Sequence, residues 1–211
     1  MKSSFIRQGV YGLVFGISVL VIMGYISDTT FVSTAASQFV SAEQVDSTTL
    51  DRQSLDSENF DTVMSVITHP RCMNCHTIDE SPRQNDEQII HLFNVTRGED
   101  NRGGPVQTCA TCHHEQNNPY SRVPGAPPWG LAPLSMGWLG LSEAEIAQAL
   151  LDPTKNGNRS FDDLLHHMEE DALVLWAWEP GAGRTPPPVP HDEFVKALDA
   201  WLEAGAPIPS E

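Results

Sequence analysis

The pentapeptide Cys-x-x-Cys-His occurs twice, as Cys72-Met73-Asn74-Cys75-His76 and Cys109-Ala110-Thr111-Cys112-His113, and the two copies use all four cysteines of the chain. This pattern is the covalent attachment site of c-type haem. The two cysteines add to the porphyrin vinyl groups, and the following histidine falls beneath the ring and ligates iron from the proximal side. The spacing constrains the fold further. Only 32 residues lie between His76 and Cys109, and an independent domain below about 40 residues is rarely stable. Two single-haem domains in tandem are therefore disfavoured. The pattern predicts one fold around two close haems, with the 98 residues after His113 helping to wrap them.

Other chemistries use paired cysteines. A zinc ribbon gathers four thiolates or imidazoles around one tetrahedral ion. Two disulfides, or one thioredoxin-like redox pair, are further readings. None of these requires a histidine immediately after each pair, and the gap from Cys75 to Cys109 exceeds the usual ribbon spacing.

The N-terminus predicts export. Lys2 and Arg7 precede an uncharged run from Gln8 to Ser27 whose apolar heart is Val10 to Ile26. Residues 1–27 thus read as a signal peptide, with small residues at Ser33-Thr34-Ala35-Ala36 for cleavage, or as a retained membrane anchor. Either way the basic end stays in the cytoplasm and the bulk is exported, so the expected location is periplasmic, free or anchored to the inner membrane. The net charge is −16, and residues 1–27 hold two cations and no acid, so the remainder carries −18. Such a chain does not bind nucleic acid through charge. The charge suits steering toward a basic patch on a partner, with solubility in a salty milieu as the alternative reading.

Residues 28–55, rich in Ser, Thr, Asp and Gln, read as a flexible linker, and residues 56–211 as the dihaem domain. The expected fold is mainly α with long loops. A helix starts near Asp56 or Ser57, with Phe60, Val63, Met64 and Ile67 on one face, and ends before Pro70. Residues 77–108 are polar, with turns at Arg97-Gly98 and Gly103-Gly104-Pro105. Five prolines between 119 and 133 enforce extended loop. Ser142 with Glu145 forms a capping box for a helix that stops at Pro153, and Ser160 caps another. A last helix runs from about Asp192 to Ala204, ended by Gly205. No strand is predicted.

His76 and His113 are the expected proximal ligands, and the opposite faces decide between carrier and enzyme. A methionine there raises the potential, a second histidine lowers it, and an open face admits small molecules. Met136, in a loop flanked by Pro133 and Trp138, is a distal candidate with a packing alternative. His91 lies in the apolar setting Ile89-Ile90-His91-Leu92-Phe93, and His167 lies beside the apolar face that carries Met168. Both are distal candidates, and each has the alternative of a buried or surface histidine. Arg71, Arg97 and Arg102 are candidates to pair with propionates through the planar guanidinium fork. Trp129, Trp138, Trp176 and Trp178 are expected as haem-packing or core aromatics.

Longer stretches extend the pattern. They are His69-Pro70-Arg71 before the first motif, Arg97-Gly98 to Cys112, Pro124-Gly125-Ala126-Pro127, Leu131-Ala132-Pro133, His167-Met168 and Leu173-Val174-Leu175-Trp176-Ala177-Trp178. Over roughly residues 60–211 the chain resembles the small dihaem cytochromes c known as isoquinoline 1-oxidoreductase subunits, which are associated with molybdenum hydroxylases of the xanthine-oxidase type. The resemblance implies two covalently bound haem c groups and a carrier rather than an enzyme. It implies a molybdenum hydroxylase-type dehydrogenase as electron donor and the respiratory chain as destination. It also implies that His91, Met136 and His167 match positions of the family pattern. One departure is that the family pattern often has a histidine after the tryptophan found here at 129, where this chain has Gly130. The rival expectation is a haem enzyme or sensor with one open site, peroxidase-like or gas-binding.

Overall fold

The computed structural model describes residues 47–209. The expected export or anchor segment and residues 28–46 lie outside them. The chain is mainly helical, as expected. Helix α1 (Ser47–Ile67) begins nine residues earlier than Asp56. The residues of its first turns are exposed and, apart from Leu50 and Leu55, polar, so no apolar stripe announces them. Among the described residues, no helix is long and apolar enough to cross a membrane.

The buried face of α1 carries Phe60, Val63, Met64, Val66 and Ile67. It packs along α6 (His191–Glu203), whose stripe of Phe194, Ala197, Leu198, Trp201 and Leu202 is buried. Phe60 meets Trp201 edge-on with ring centres 6.0 Å apart. This seam is the centre of the core.

Between these helices the chain alternates short caps and loops. His69 caps α2 (Pro70–Met73) with Pro70 in its first turn, where the missing N–H costs nothing. Helix α3 (Glu143–Leu151) opens with the complete Ser142–Glu145 capping box. Helix α4 (Phe161–Glu170) opens with Ser160 reciprocated by Asp163. Each such cap contributes about 1 kcal/mol. Asp171 then caps the single turn α5 (Ala172–Leu175), bonding the amides of Leu173 and Val174. The loop between the two cysteine motifs contains two small antiparallel ladders that the sequence reading did not predict. Strand β1 (Arg83–Gln84) pairs with β2 (Ile89–Ile90), and β3 (Gly103–Gly104) with β4 (Gln107–Thr108). At two residues a strand, they bury no alternating face that periodicity could reveal.

Arg97 holds this loop to the rest. Its buried guanidinium donates to the Thr77 carbonyl and hydroxyl at 3.1 Å, to Asn101 Oδ1 at 2.8 Å and to the Ala132 carbonyl. Arg97 does not line the cavities beside the two Cys-x-x-Cys-His motifs. The structure thus gives Arg97 a part in holding the loop: its fork donates to protein carbonyls that loops would otherwise leave unbonded.

Candidate functional site

Each Cys-x-x-Cys-His forms one helical turn, in which the histidine amide donates to the carbonyl of the first cysteine. The distances are 3.1 Å from His76 to Cys72 and 2.9 Å from His113 to Cys109. The turn therefore presents two thiols and an imidazole from one short stretch of backbone.

The two histidines are then held by the same device. His76 Nδ1–H donates to the Met136 carbonyl at 2.7 Å, and His113 Nδ1–H donates to the Pro124 carbonyl at 2.8 Å. A carbonyl accepts only, so Nδ1 carries the proton and Nε2 keeps its lone pair, the tautomer a metal needs. Each ring also lies flat on a tryptophan. His76 stacks on Trp138 with centres 3.4 Å apart, and His113 on Trp129 at 4.3 Å. In both sites a glycine follows the residue that supplies the accepting carbonyl. A Cβ on Gly137 would sit 2.7 Å from the Thr77 carbonyl oxygen, and one on Gly125 would sit 2.4 Å from that of His114. These are the carbonyls of the residues next after the two histidines, so only glycine permits the close approach in either place.

Burial keeps these groups neutral. It pushes His76 down to about 3, against the Met136 hydrogen bond and helped by His167 and Arg97 nearby. It pushes His113 down to about 4, again against its backbone hydrogen bond. Cys72 and Cys75 keep some surface toward the cavities they line, yet the surrounding protein raises their thiols to about 12 and about 11. All four cysteines are free. Among the described residues no three His, Cys, Asp or Glu side chains gather as a metal site, so the four-ligand zinc arrangement is not formed. An iron in a porphyrin asks less of the protein, one side chain on each face.

Each histidine opens onto a cavity. The first, about 340 Å³, is lined by Cys72, Cys75, His76, Met136 and Trp138 and on another side by His167 and Met168. Its floor is the helical core, including Val66, Ile67, Leu150, Leu164 and Phe194. The second, about 280 Å³, is lined by Cys109, Cys112, His113, Trp129 and His91, with loop residues Leu92, Phe93, Val123 and Pro124. The two share a wall of Arg71, Cys75, Gly130, Leu131 and Trp176.

The distal candidates now separate. His91 and His113 face each other with ring centres 6.0 Å apart and planes 67° apart. Two imidazoles on opposite sides of one metal, with bonds of about 2.0 Å, have centres about 6 Å apart. His91 Nδ1–H donates to the Leu92 carbonyl at 2.7 Å, which again leaves Nε2 free. His167 Nδ1 lies 3.4 Å from Asp171 Oδ2, turning its Nε2 edge away from that carboxylate. Met136 meets His76 through its backbone. Its carbonyl sits on the ring edge opposite to Nε2, and its side chain is part of the buried core and of the first cavity's lining.

The lining is cationic in an acidic chain. Six of the nine arginines line one cavity or the other: Arg71, Arg83, Arg122 and Arg184 the second, Arg71, Arg102 and Arg159 the first. Such a lining suits planar apolar groups that carry carboxylates, as a porphyrin does. The sequence reading missed the two histidine-binding carbonyls, the two tight glycines and Arg184. It also missed Asn117, which accepts from Trp176 Nε1 at 2.9 Å and from the Gly125 amide at 3.0 Å. Comparison with protein-family models, curated proteins and solved structures returns no match to this chain.

Proposed function

We propose that this chain is an electron-transfer dihaem cytochrome c, in which His76 and His167 ligate one iron and His113 and His91 the other. The observation that carries the reading is the repeated construction. Two Cys-x-x-Cys-His turns each hold their histidine by a backbone carbonyl and a stacked tryptophan, with Nε2 left free beside a cavity that has a second histidine in its wall. Haem c, attached through Cys72 and Cys75 and through Cys109 and Cys112, supplies a reversible one-electron couple. The chain's own part is to orient the four imidazoles, exclude water with Trp138 and Trp129, and bind carboxylates with the arginines of the lining. The shared wall at Cys75 and Trp176 puts the two sites next to each other, which suits passage from one to the other. With a histidine already in the wall of each cavity, the absence of a histidine at Gly130 leaves no site short of a ligand. The resemblance supplies the donor, a periplasmic molybdenum hydroxylase-type dehydrogenase. The acidic surface favours a basic-patched acceptor leading to the respiratory chain. The N-terminal segment exports the chain and, if retained, anchors it.

One observation favours a second reading for the second site alone. His91 precedes Phe93 and Asn94, which both adopt left-handed backbone at φ 67° and 54°. Such conformations cost an aromatic residue about 1–3 kcal/mol, and a ligand on that segment is the easier one to release. A carbon monoxide difference spectrum of the reduced, haem-quantified protein distinguishes the readings. No binding supports two six-coordinate irons and a carrier. Stoichiometric binding at one haem of the wild-type chain, unchanged in His91→Ala, would move the assignment to a gas-binding or peroxidase-like centre with that face open.

A further inference from the structure

Arg71 is the one charged side chain among the described residues that lines both cavities. Its side chain is only 1 % exposed. A buried guanidinium is costly unless it is paired, and Arg71 has one ion pair, with Asp86. Asp86 is held in turn by the Thr185 amide at 3.2 Å and hydroxyl at 2.9 Å, bonds that keep its carboxyl below the usual range and so charged. The guanidinium lies 6.0 Å from the ring centre of Trp176, which also lines both cavities. Its Nε is buried with no protein partner, so the cation is not fully satisfied by Asp86.

We infer that Arg71 is a shared electrostatic control of the two redox sites, a single cation that raises both midpoint potentials together, with Asp86 as the counter-charge that limits it. The inference rests on the dihaem reading. An oxidised iron centre carries one more positive charge than a reduced one, so a nearby cation disfavours oxidation and raises the potential. A buried charge is screened little by salt, and one that borders both sites acts on both. Arg122 borders only the second cavity and is the natural contrast.

The test is a spectroelectrochemical titration of the full loaded chain, after counting haems by pyridine haemochrome. Arg71→Gln lowers both midpoint potentials, Asp86→Asn raises both, and Arg122→Gln lowers only one. An Arg71→Gln protein with two haems in which one potential or neither falls overturns the inference. If that variant does not fold or load, Asp86→Asn decides, because its amide can still accept from Thr185. Both potentials rising supports the inference, and any other pattern overturns it. A wild-type chain that carries no haem overturns the dihaem reading, and the inference with it.

Discussion

The two sites share a plan and differ in foundation. Both hold a histidine by a carbonyl, a tryptophan and a glycine that tolerates no Cβ. The first is set in the helical core, where Trp138 is 1 % exposed and α1, α3, α4 and α6 all contribute to the cavity. The second is built from loops, with Ile90, Leu92 and Phe93 exposed around His91 and Trp129 only half-buried. The lesson is that the local geometry of a ligand is set by a few backbone contacts, while its rigidity is set by what lies behind them. His167 rides on α4, whereas His91 sits between a two-residue strand and a strained turn.

Breaking the attachment is expected to have the largest effect and an unequal one. A Cys72→Ser/Cys75→Ser chain loses the group that fills a cavity floored by the core, and its helical circular dichroism is expected to melt at much lower temperature. A Cys109→Ser/Cys112→Ser chain is expected to keep its helices and one haem by haemochrome analysis. Equal melting of the two would erase the contrast. Next come the stacked tryptophans. Trp138→Ala should cost about 3–5 kcal/mol in urea unfolding, the usual loss for a buried tryptophan. Trp129→Ala should cost roughly half as much, because less surface leaves water.

The glycines sharpen the shared part of the plan. Gly137→Ala and Gly125→Ala each force a methyl group against a carbonyl and should cost about 1–3 kcal/mol. Each should also perturb the potential of its own site, since the neighbouring carbonyl orients that site's imidazole. A shift at the other site would mean that the two are not held independently. The smallest effect belongs to Met136→Leu, under about 1.5 kcal/mol for such a swap, with visible spectra unchanged. Loss of a far-red ferric band in that variant would restore Met136 as a ligand.

Much of this was legible in sequence because the signals are local. Ser142–Glu145 and Ser160 announced their helices, and the stripe from Phe194 to Leu202 announced α6. The motifs picked out the thiols and histidines that the structure sets beside the two cavities. The rest depended on backbone groups and long-range approach. A methionine in a Pro- and Trp-flanked loop reads the same whether or not its carbonyl meets a histidine, so the backbone contact of Met136 was hidden. An arginine fork binds carbonyls as readily as carboxylates, so the part of Arg97 in holding the loop was hidden. That Arg71 reaches both cavities, and that residue 86 meets residue 185, follows from the tertiary path and leaves no trace in spacing.

The central claim is that each cysteine motif carries a haem. It is tested most directly by pyridine haemochrome quantification on the intact purified chain, against protein concentration from amino-acid analysis. The account predicts two c-type haems per chain, reduced to one in the Cys109→Ser/Cys112→Ser variant. A chain that folds with four free thiols and no haem, or that holds zinc in their place, would contradict it.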